Sequence, residues 1–418
     1  MTDKPTFEPT NDQTGSGSSL SSEPLWTSNF IRVWILNLLI CIWFFLLSAP
    51  FSFYIIELGG TELLVGIVAG GYAITSLITR PIAGWVLDNR SRKELLIWGL
   101  LLLTLASLLF IFVPILGIVV VVRIISGFLF ASTSTASTTN VYDSITPRRM
   151  GEGLGFLGLG NTLAMALAPA LGLAIIAGWG FNLFFSVSVV VLLLAILIMK
   201  GFPYKKVEKP VKSRERKGKI WSNLISLEAL PASVVMLFIS VPYGGVSIFI
   251  ALYGELYGLG SAGLFFTLFA IGTGTTRLVS GRIADKKGEK PMIAAGCSLL
   301  LFSLMLLLTA NSFCYYTSGF LYGIGSGVLL PTMQAMSMRT VPAEKRGAAS
   351  STYQCSYDIA SGVGGFIAGW IVTAWGYRPM FAVLSIFLVI AVLVYAFWAS
   401  KTPSAFKVYQ QNLKKISE

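Results

Sequence analysis

The sequence predicts an all-α polytopic membrane protein whose twelve transmembrane helices form two pseudo-symmetric bundles of six. Three observations lead to this prediction. The 418 residues are 55% hydrophobic and only 12% charged, whereas soluble proteins carry about 25% charged residues. Apolar stretches of about 20 residues, the length that crosses a bilayer, recur along the chain. Finally, one charged segment occurs twice between apolar stretches, as GWVLDNRSRKELL and as GRIADKKGEKPMI.

The apolar stretches define twelve predicted spans in two sets of six. The first set covers residues 30–56, 63–84, 95–113, 117–141, 152–177 and 181–200. The second set covers residues 229–254, 261–281, 291–310, 312–338, 347–373 and 377–399. We therefore expect a first bundle over residues 28–200 and a second bundle over residues 229–400.

Polar segments flank and separate the two bundles. The linker at residues 201–228 contains KKVEKPVKSRERKGK, with eight basic and two acidic residues, which predicts a solvated loop. Residues 1–27 are rich in Ser, Thr and Pro and lack the apolar core of a signal peptide, so we interpret them as a disordered cytoplasmic tail. Residues 401–418 form a second predicted cytoplasmic tail.

The two bundles repeat in register. Arg80 and Arg277 each precede the repeated segment by the same four-residue step, and WGFNLFF at 179–185 matches WGYRPMF at 375–381. Because each copy has an even number of spans, both copies insert in the same direction. We therefore expect the bundles to be related by an axis along the membrane normal.

Basic residues predict the orientation of the chain. If both termini are cytoplasmic, all of the 31 Lys and Arg residues except Arg123 and Arg378 lie on the cytoplasmic side or at its membrane edge. This is the positive-inside pattern of a multi-pass protein of the inner or plasma membrane. The net charge of +12 then reflects topology and contact with the lipid bilayer, and we expect no nucleic-acid partner.

The first copy of the repeated segment, GWVLDNRSRK, resembles the signature loop between the second and third spans of the major facilitator superfamily, Gly-x-x-x-Asp-Arg/Asn-x-Gly-Arg-Lys. Over residues 28–400 this resemblance implies a twelve-span transporter that works by alternating access. It also implies a cytoplasmic gate that holds one state, whereas the alternative is a charged loop that only anchors topology. The gate residues would be Arg80, Gly84, Asp88, Arg92 and Lys93 in the first copy, and Arg277, Gly281 and Asp285 in the second.

Two further segments resemble motifs of the superfamily's proton-coupled drug and metabolite antiporters. RIISGFLFA, which begins at Arg123, matches Arg-x-x-x-Gly-x-x-x-Ala, and the resemblance implies that Arg123 handles protons or balances charge. Alternatively, Arg123 snorkels to the lipid headgroups. AMALAPALG keeps Pro169 and Gly172 of the helix-packing motif Gly-x-x-x-Gly-Pro-x-x-Gly-Gly, with alanine at both leading glycines.

Asp358 lies about eleven residues into the eleventh predicted span and is the only acidic residue deep within any span. Proton coupling requires a carboxyl that gains and loses a proton while its exposure alternates between the two sides. We therefore assign coupling to Asp358 together with Arg123. The alternative is a protonated Asp358 that bonds a neighbouring helix without a role in turnover.

Other polar residues are candidates for the gate and for a central cavity. Asp143 and Arg149, in the connection after the fourth span, either exchange salt bridges between states or are simply solvated. A cavity with few fixed charges suits amphipathic or hydrophobic cargo. The polar residues expected to face it are Asn37, Asn140, Tyr243, Gln334 and Tyr357.

Taken together, these residues predict a secondary transporter of small organic molecules rather than an enzyme, and most directly a proton-coupled exporter that functions as a monomer. A proton-coupled importer on the same scaffold is the first alternative. A membrane enzyme or a non-transporting membrane protein is less well supported, because histidine is absent and carboxylates inside the spans are scarce. The four cysteines lie in apolar segments without ligand spacing, so we expect no metal site and no cofactor.

Overall fold

The computed structural model describes residues 25–89, 92–145, 150–199, 226–341, 346–408 and 411. Within these ranges the chain forms α-helices in chain order, followed by a 3-10 turn at Ala399–Lys401. The helices are α1 (Ser28–Leu46), α2 (Pro50–Glu57), α3 (Glu62–Asn89), α4 (Arg92–Phe112), α5 (Leu116–Ser144), α6 (Met150–Met199), α7 (Leu230–Leu256), α8 (Ala262–Lys287), α9 (Glu289–Leu307), α10 (Ser312–Met338), α11 (Arg346–Trp375) and α12 (Tyr377–Phe397).

Nine of the predicted spans correspond to one helix each, and the first span is divided into α1 and α2. Pro50 begins α2, and it has no N–H to donate to the carbonyl of Leu46, where α1 ends. The side chain of Ser48 instead donates to the carbonyl of Phe45 at 2.7 Å, which satisfies one backbone acceptor at the break. The first span therefore crosses as two helical pieces joined by a short irregular segment.

The fifth and sixth predicted spans are joined in α6, which changes direction at Gly180. The backbone of Gly180 has φ 78° and ψ −179°, a combination that favours glycine. Gly376, its counterpart in the second bundle, has φ 85° and ψ −178° and separates α11 from α12. The same backbone bend thus connects the last two spans of each bundle.

Nine of the helices within the described ranges are long and apolar enough to cross a membrane. In α6 the apolar run from Phe156 to Met199 has 44 residues. At a rise of about 1.5 Å per residue it would extend about 66 Å, which is twice the thickness of a hydrocarbon core. This helix therefore supplies two crossings on either side of the Gly180 bend.

Equivalent contacts in the two bundles confirm the predicted duplication. In the first half, α1–α6, the hydroxyl of Tyr54 donates to the carbonyl of Phe110 at 2.7 Å. In the second half, α7–α12, the hydroxyl of Tyr253 donates to the carbonyl of Leu307 at 2.6 Å. Each bond ties the first span of its half to the end of the third, so the two halves share one internal architecture.

The two halves contact each other chiefly through α3 against α11 and α6 against α8. We call the end of the molecule where α1 begins the linker end and the opposite end the far end. Near the far end a methyl group added at Gly369 would stand 2.9 Å from the Cα of Gly66, so glycine allows these two backbones to approach closely. The hydroxyl of Ser52 also donates to the carbonyl of Ile248 across the halves at 3.0 Å.

Segments predicted as tails pack against the bundles. Leu25 is buried, and the ring of Trp26 lies 4.7 Å from that of Phe156, centroid to centroid. At the other terminus, residues 401–408 continue past the predicted boundary and dock at the linker end. Packed apolar and aromatic side chains therefore continue for a few residues past the predicted bundle boundaries at both ends.

Glu289 organises this docking at the start of α9. Its carboxylate accepts from Nη1 of Arg339 at 2.9 Å, from the hydroxyl of Tyr395 at 3.3 Å and from the backbone N–H of Phe406 at 2.8 Å. Arg339 also donates to the carbonyl of Ser404 at 2.7 Å. A buried carboxylate is tolerated here because a cation and two further donors satisfy it. Sequence reasoning did not single out Glu289, since it reads as one more charge in the repeated segment.

Candidate functional site

A cavity with an empty volume of about 850 Å³ lies between the two halves, on the far-end side of Asp358. Six helices, α1, α2, α3, α5, α7 and α11, line it with mainly aromatic and aliphatic side chains and a few serines. The lining residues are Phe44, Phe45, Ser48, Phe51, Ser52, Ile55, Val65, Val68, Ala69, Tyr72, Ala73, Ser76, Arg123, Phe130, Tyr243, Ser247, Ile248, Tyr357, Asp358, Ser361 and Gly362.

Asp358 is paired with Arg80 at the linker-end side of this cavity. The Nε of Arg80 donates to Oδ2 of Asp358, and its Nη1 reaches Oε1 of Gln354 at 3.5 Å, one helical turn earlier. The two side chains are 12% and 19% exposed. Because Arg80 lies on α3 and Asp358 on α11, this ion pair links the two halves beside the cavity.

Sequence reasoning did not predict this pairing. Arg80 was assigned to the cytoplasmic gate, and Arg123 to proton coupling together with Asp358, whereas the residue that pairs with Asp358 is Arg80. Arg80 and Asp358 are 278 positions apart in the chain, and they come together because α3 and α11 pack along each other. Arg123 and Asp358 both line the cavity between the halves.

Arg123 is 7% exposed and lies between two aromatic rings. Its guanidinium carbon is 4.8 Å from the ring centroid of Phe51 and 4.8 Å from that of Tyr72. Its Nη1 is buried without a hydrogen-bond partner among the described residues. The side chain therefore turns into the bundle and stacks on aromatic faces, whereas snorkelling would carry it toward the headgroups.

Arg277 makes the corresponding contact in the second half. Its Nη1 donates to the hydroxyl of Thr162 on α6. The repeat that relates Trp179 to Trp375 also carries Thr162 onto Asp358. Both equivalent arginines thus cross to the opposite half at equivalent positions, but one meets a carboxylate and the other a neutral hydroxyl. The ionisable contact is confined to one of the two pseudo-symmetric sites.

Two of the five residues predicted to face the cavity do so. Tyr243 and Tyr357 line it, with ring centroids 5.9 Å apart. Asn37 is buried between α1 and α5, where its Nδ2 donates to the hydroxyl of Ser137 at 3.2 Å. Neither Asn140 nor Gln334 is among the lining residues. Sequence reasoning assigned these three side chains to the cavity because they are polar, but Asn37 bonds a neighbouring helix instead.

Most of the predicted gate lies outside the described residues. The structure does not describe the side chains of Asp88, Arg92, Asp285 and Asp143, the surroundings of Gly84 and Gly281, or any part of Arg149. Lys93 is exposed at the start of α4. The geometry of the repeated loops therefore stays a prediction, while Arg80 and Arg277 have well-defined partners.

Pro169 and Gly172 lie inside α6, where the glycine is in close contact with the break in the first span. A methyl group added at Gly172 would stand 2.8 Å from Cγ of Pro50 and 2.9 Å from the carbonyl oxygen of Leu46. Small size at this position lets α6 pack against the irregular segment. The same segment lines the cavity, so the packing motif supports the wall of the site.

Sequence reasoning missed the aromatic wall of the first half. Phe44 stacks on Phe130 with centroids 4.5 Å apart, and Phe51 and Tyr72 hold Arg123. Among 28 phenylalanines no periodic signal distinguishes these from lipid-facing ones. Pro50 is the available clue, because a proline within an apolar span marks a break that frees side chains and backbone for a site.

Comparison with known proteins decides the family. The Major Facilitator Superfamily matches the chain twice, over residues 33–265 and 259–415. The chain belongs to the Major Facilitator Superfamily. The two matches together cover most of the chain, and the described helices agree with the twelve-helix fold of this superfamily and with a multi-pass membrane protein.

Relatives within the superfamily are distant and differ in what they carry. The chain is 23% identical to the staphylopine export protein of Staphylococcus aureus (strain Mu50 / ATCC 700699), over 90% of this chain and 96% of that protein. A solved structure of the nucleoside transporter NupG covers 88% of this chain and 98% of its own, with a TM-score of 0.71 and 13% identity. That of the human organic anion transporter MFSD10 covers the same shares with a TM-score of 0.66 and 15% identity. At these identities the two structures show the fold alone.

Proposed function

We propose that this superfamily member is a proton-coupled exporter of small, drug-like or amphipathic organic molecules. The observation that carries the proposal is the ion pair between Arg80 and Asp358, at the wall of an interdomain cavity and between the two halves. A cavity at this place is where transporters with two repeats bind cargo, and rocking of one half against the other exposes it alternately.

The pair offers a direct link between a proton and the movement of the halves. An ionised Asp358 attracts Arg80 across the α3–α11 contact. Protonation removes the negative charge and leaves a weaker hydrogen bond from the guanidinium, which stays charged, to a neutral carboxylic acid. Because the bond joins the halves, taking up a proton lowers the free energy needed to separate them at this contact. Releasing the proton restores the attraction, so protonation and rearrangement are thermodynamically linked.

Export is supported by the staphylopine export protein, which matches nearly the whole chain. Import is the alternative direction on the same scaffold. The test uses everted membrane vesicles from a pump-depleted bacterial host that expresses the chain, with fluorescent drug-like compounds as cargo. An exporter accumulates cargo in everted vesicles, and an uncoupler abolishes the accumulation. Accumulation only in right-side-out vesicles would favour import, and accumulation that survives the uncoupler would contradict proton coupling.

We also propose that both termini are cytoplasmic, that the protein functions as a monomer, and that the repeated loops form the gate. The basic residues support the orientation, and the superfamily signature supports the gate. Reporter fusions at each terminus test the orientation, and single-molecule photobleaching in nanodiscs tests the monomer. The Asp88→Asn and Asp285→Asn variants test the gate. If the repeated loops hold the linker end closed, cysteines introduced at that end should become more accessible to thiol reagents in these variants.

A further inference from the structure

We propose that the cavity binds organic carboxylates, with the anionic group held at Arg123 and the apolar body of the cargo held between aromatic side chains of both halves. This inference rests on the proposed transport function and specifies its substrate class.

The cavity wall carries a positive charge that no carboxylate among the described residues balances. Two of its lining residues are charged, Arg123 and Asp358. Asp358 is neutralised by its ion pair with Arg80. Within the described part of the chain Arg123 has aromatic partners and no ion pair. A cation in a largely apolar site is costly unless an anion joins it, so the wall favours a ligand of negative charge.

Two hydrogen-bond donors at this wall also lack acceptors. Nη1 of Arg123 and the hydroxyl of Tyr72 are buried, and neither has a hydrogen-bond partner among the described residues. Buried polar groups in folded proteins are nearly always satisfied, so donors left unpaired beside a cavity indicate a missing acceptor. A carboxylate supplies two acceptor oxygens, which match the planar fork of a guanidinium.

The aromatic contacts of Arg123 leave its hydrogen-bonding edge available. Phe51 and Tyr72 both lie 4.8 Å from the guanidinium carbon, where ring faces attract the cation. Ring faces attract a cation without supplying an oxygen or nitrogen acceptor for its N–H groups. The two rings therefore hold the side chain in place without consuming the donors that would bind an anion, and this pre-organises the site.

The rest of the cavity suits an apolar, aromatic body. Phe44 and Phe130 stack on the side of the first half, and Tyr243 and Tyr357 face it from the second half. One anionic end and one aromatic end can thus be accommodated together, each by different residues.

Binding of a matched pair of probes tests this inference. The pair is 1-naphthaleneacetate and 1-naphthaleneacetamide, which have nearly the same shape and differ in charge. Affinities are measured by calorimetry on the full chain in nanodiscs, without a proton gradient. We expect the carboxylate to bind about tenfold or more tightly than the amide, the gain typical of a charge-assisted hydrogen bond. The Arg123→Gln variant should lose this preference and retain affinity for the amide.

Arg378→Gln is the matched control, because Arg378 lies near the far end over the ring of Tyr257 and does not line the cavity. It should keep the preference for the carboxylate. Arg123→Lys keeps the positive charge and should keep part of the preference for the carboxylate. If Arg123→Gln binds neither probe, the preference retained by Arg123→Lys shows that the charge at this position selects the carboxylate. Equal affinity of the wild type for the two probes, binding of neither, or full preference in Arg123→Gln would overturn the proposal.

The outcome is separable from that of the proposed function. Binding is measured at equilibrium and does not depend on coupling, so a protein that binds carboxylates but transports without protons would contradict only the proton-coupled mechanism. Conversely, uncoupler-sensitive export of neutral compounds together with equal affinity for both probes would leave the transport proposal intact and overturn the carboxylate site.

Discussion

Arg80 and Asp358 form an ion pair across the two halves of the molecule, although 278 positions separate them in the chain. The equivalent arginine, Arg277, crosses between the halves in the same way but meets the hydroxyl of Thr162. Duplication therefore supplied two equivalent crossings, and a single ionisable group distinguishes them. Of these two contacts, Arg80 with Asp358 contains an ionisable acid, whereas Arg277 with Thr162 does not.

Replacing Asp358 by Asn should uncouple transport from the proton gradient. The amide keeps the size of the side chain and can still accept from Arg80, but it cannot gain or lose a proton. We expect gradient-driven accumulation to fall by at least about tenfold, while exchange of labelled for unlabelled cargo without a gradient continues. Asp358→Glu, which stays ionisable, is the control. Full gradient-driven transport by the Asn variant would contradict the coupling role.

Replacing Arg80 by Gln should destabilise the protein because a partly buried carboxylate loses its cation. We expect a loss of about 3 kcal/mol in the free energy of unfolding. The double variant with Asp358→Asn should be more stable than Arg80→Gln alone, with a coupling of about 1–3 kcal/mol. Steric trapping in bicelles measures these values. The matched cycle of Arg277→Gln with Thr162→Val should show a smaller coupling, and equal couplings in both cycles would contradict the distinction.

Enlarging Gly369 should force apart α3 and α11 near the far end. A methyl group there already stands 2.9 Å from the Cα of Gly66, so Gly369→Val requires a backbone shift. We expect transport to fall at least about tenfold and thiol reagents to reach cysteines introduced at the far end more readily. Gly274→Val is the control, because no atom lies within 4 Å of an added methyl group there. Normal transport by Gly369→Val would show that the contact tolerates separation.

Replacing Glu289 by Ala should lower the stability of the second half and release the C-terminal segment. Arg339 would lose the carboxylate that it pairs with, and the backbone N–H of Phe406 would lose its hydrogen-bond acceptor. We expect a cost of about 3–5 kcal/mol in the free energy of unfolding, the range for breaking a buried pair. Protease cleavage after Lys407 should become faster at the same time.

Glu94→Ala is the comparison for this prediction, since Glu94 is an exposed acidic residue in the first turn of α4. It should change the free energy of unfolding by less than about 1 kcal/mol. Similar losses in both variants would mean that the network around Glu289 does not hold the segment in place.

The sequence alone determined the class of the protein, the positions of its spans and its duplication. These properties depend on local or periodic signals: long apolar runs, a basic linker and paired segments such as those at 84–96 and 281–293. It also identified Asp358 and Arg123 as the unusual charges, because an ionisable group within an apolar run is conspicuous wherever the run packs.

Only the tertiary structure decided which residues meet. The partner of Asp358, the rings that hold Arg123 and the donors around Glu289 all come from helices distant in sequence, and many residues of the same types stand elsewhere in the chain. Span positions follow from how each segment partitions between water and lipid, which is a property of the segment itself. Contacts between spans follow instead from how side chains of different helices fit together, and no local pattern in one helix specifies its neighbour.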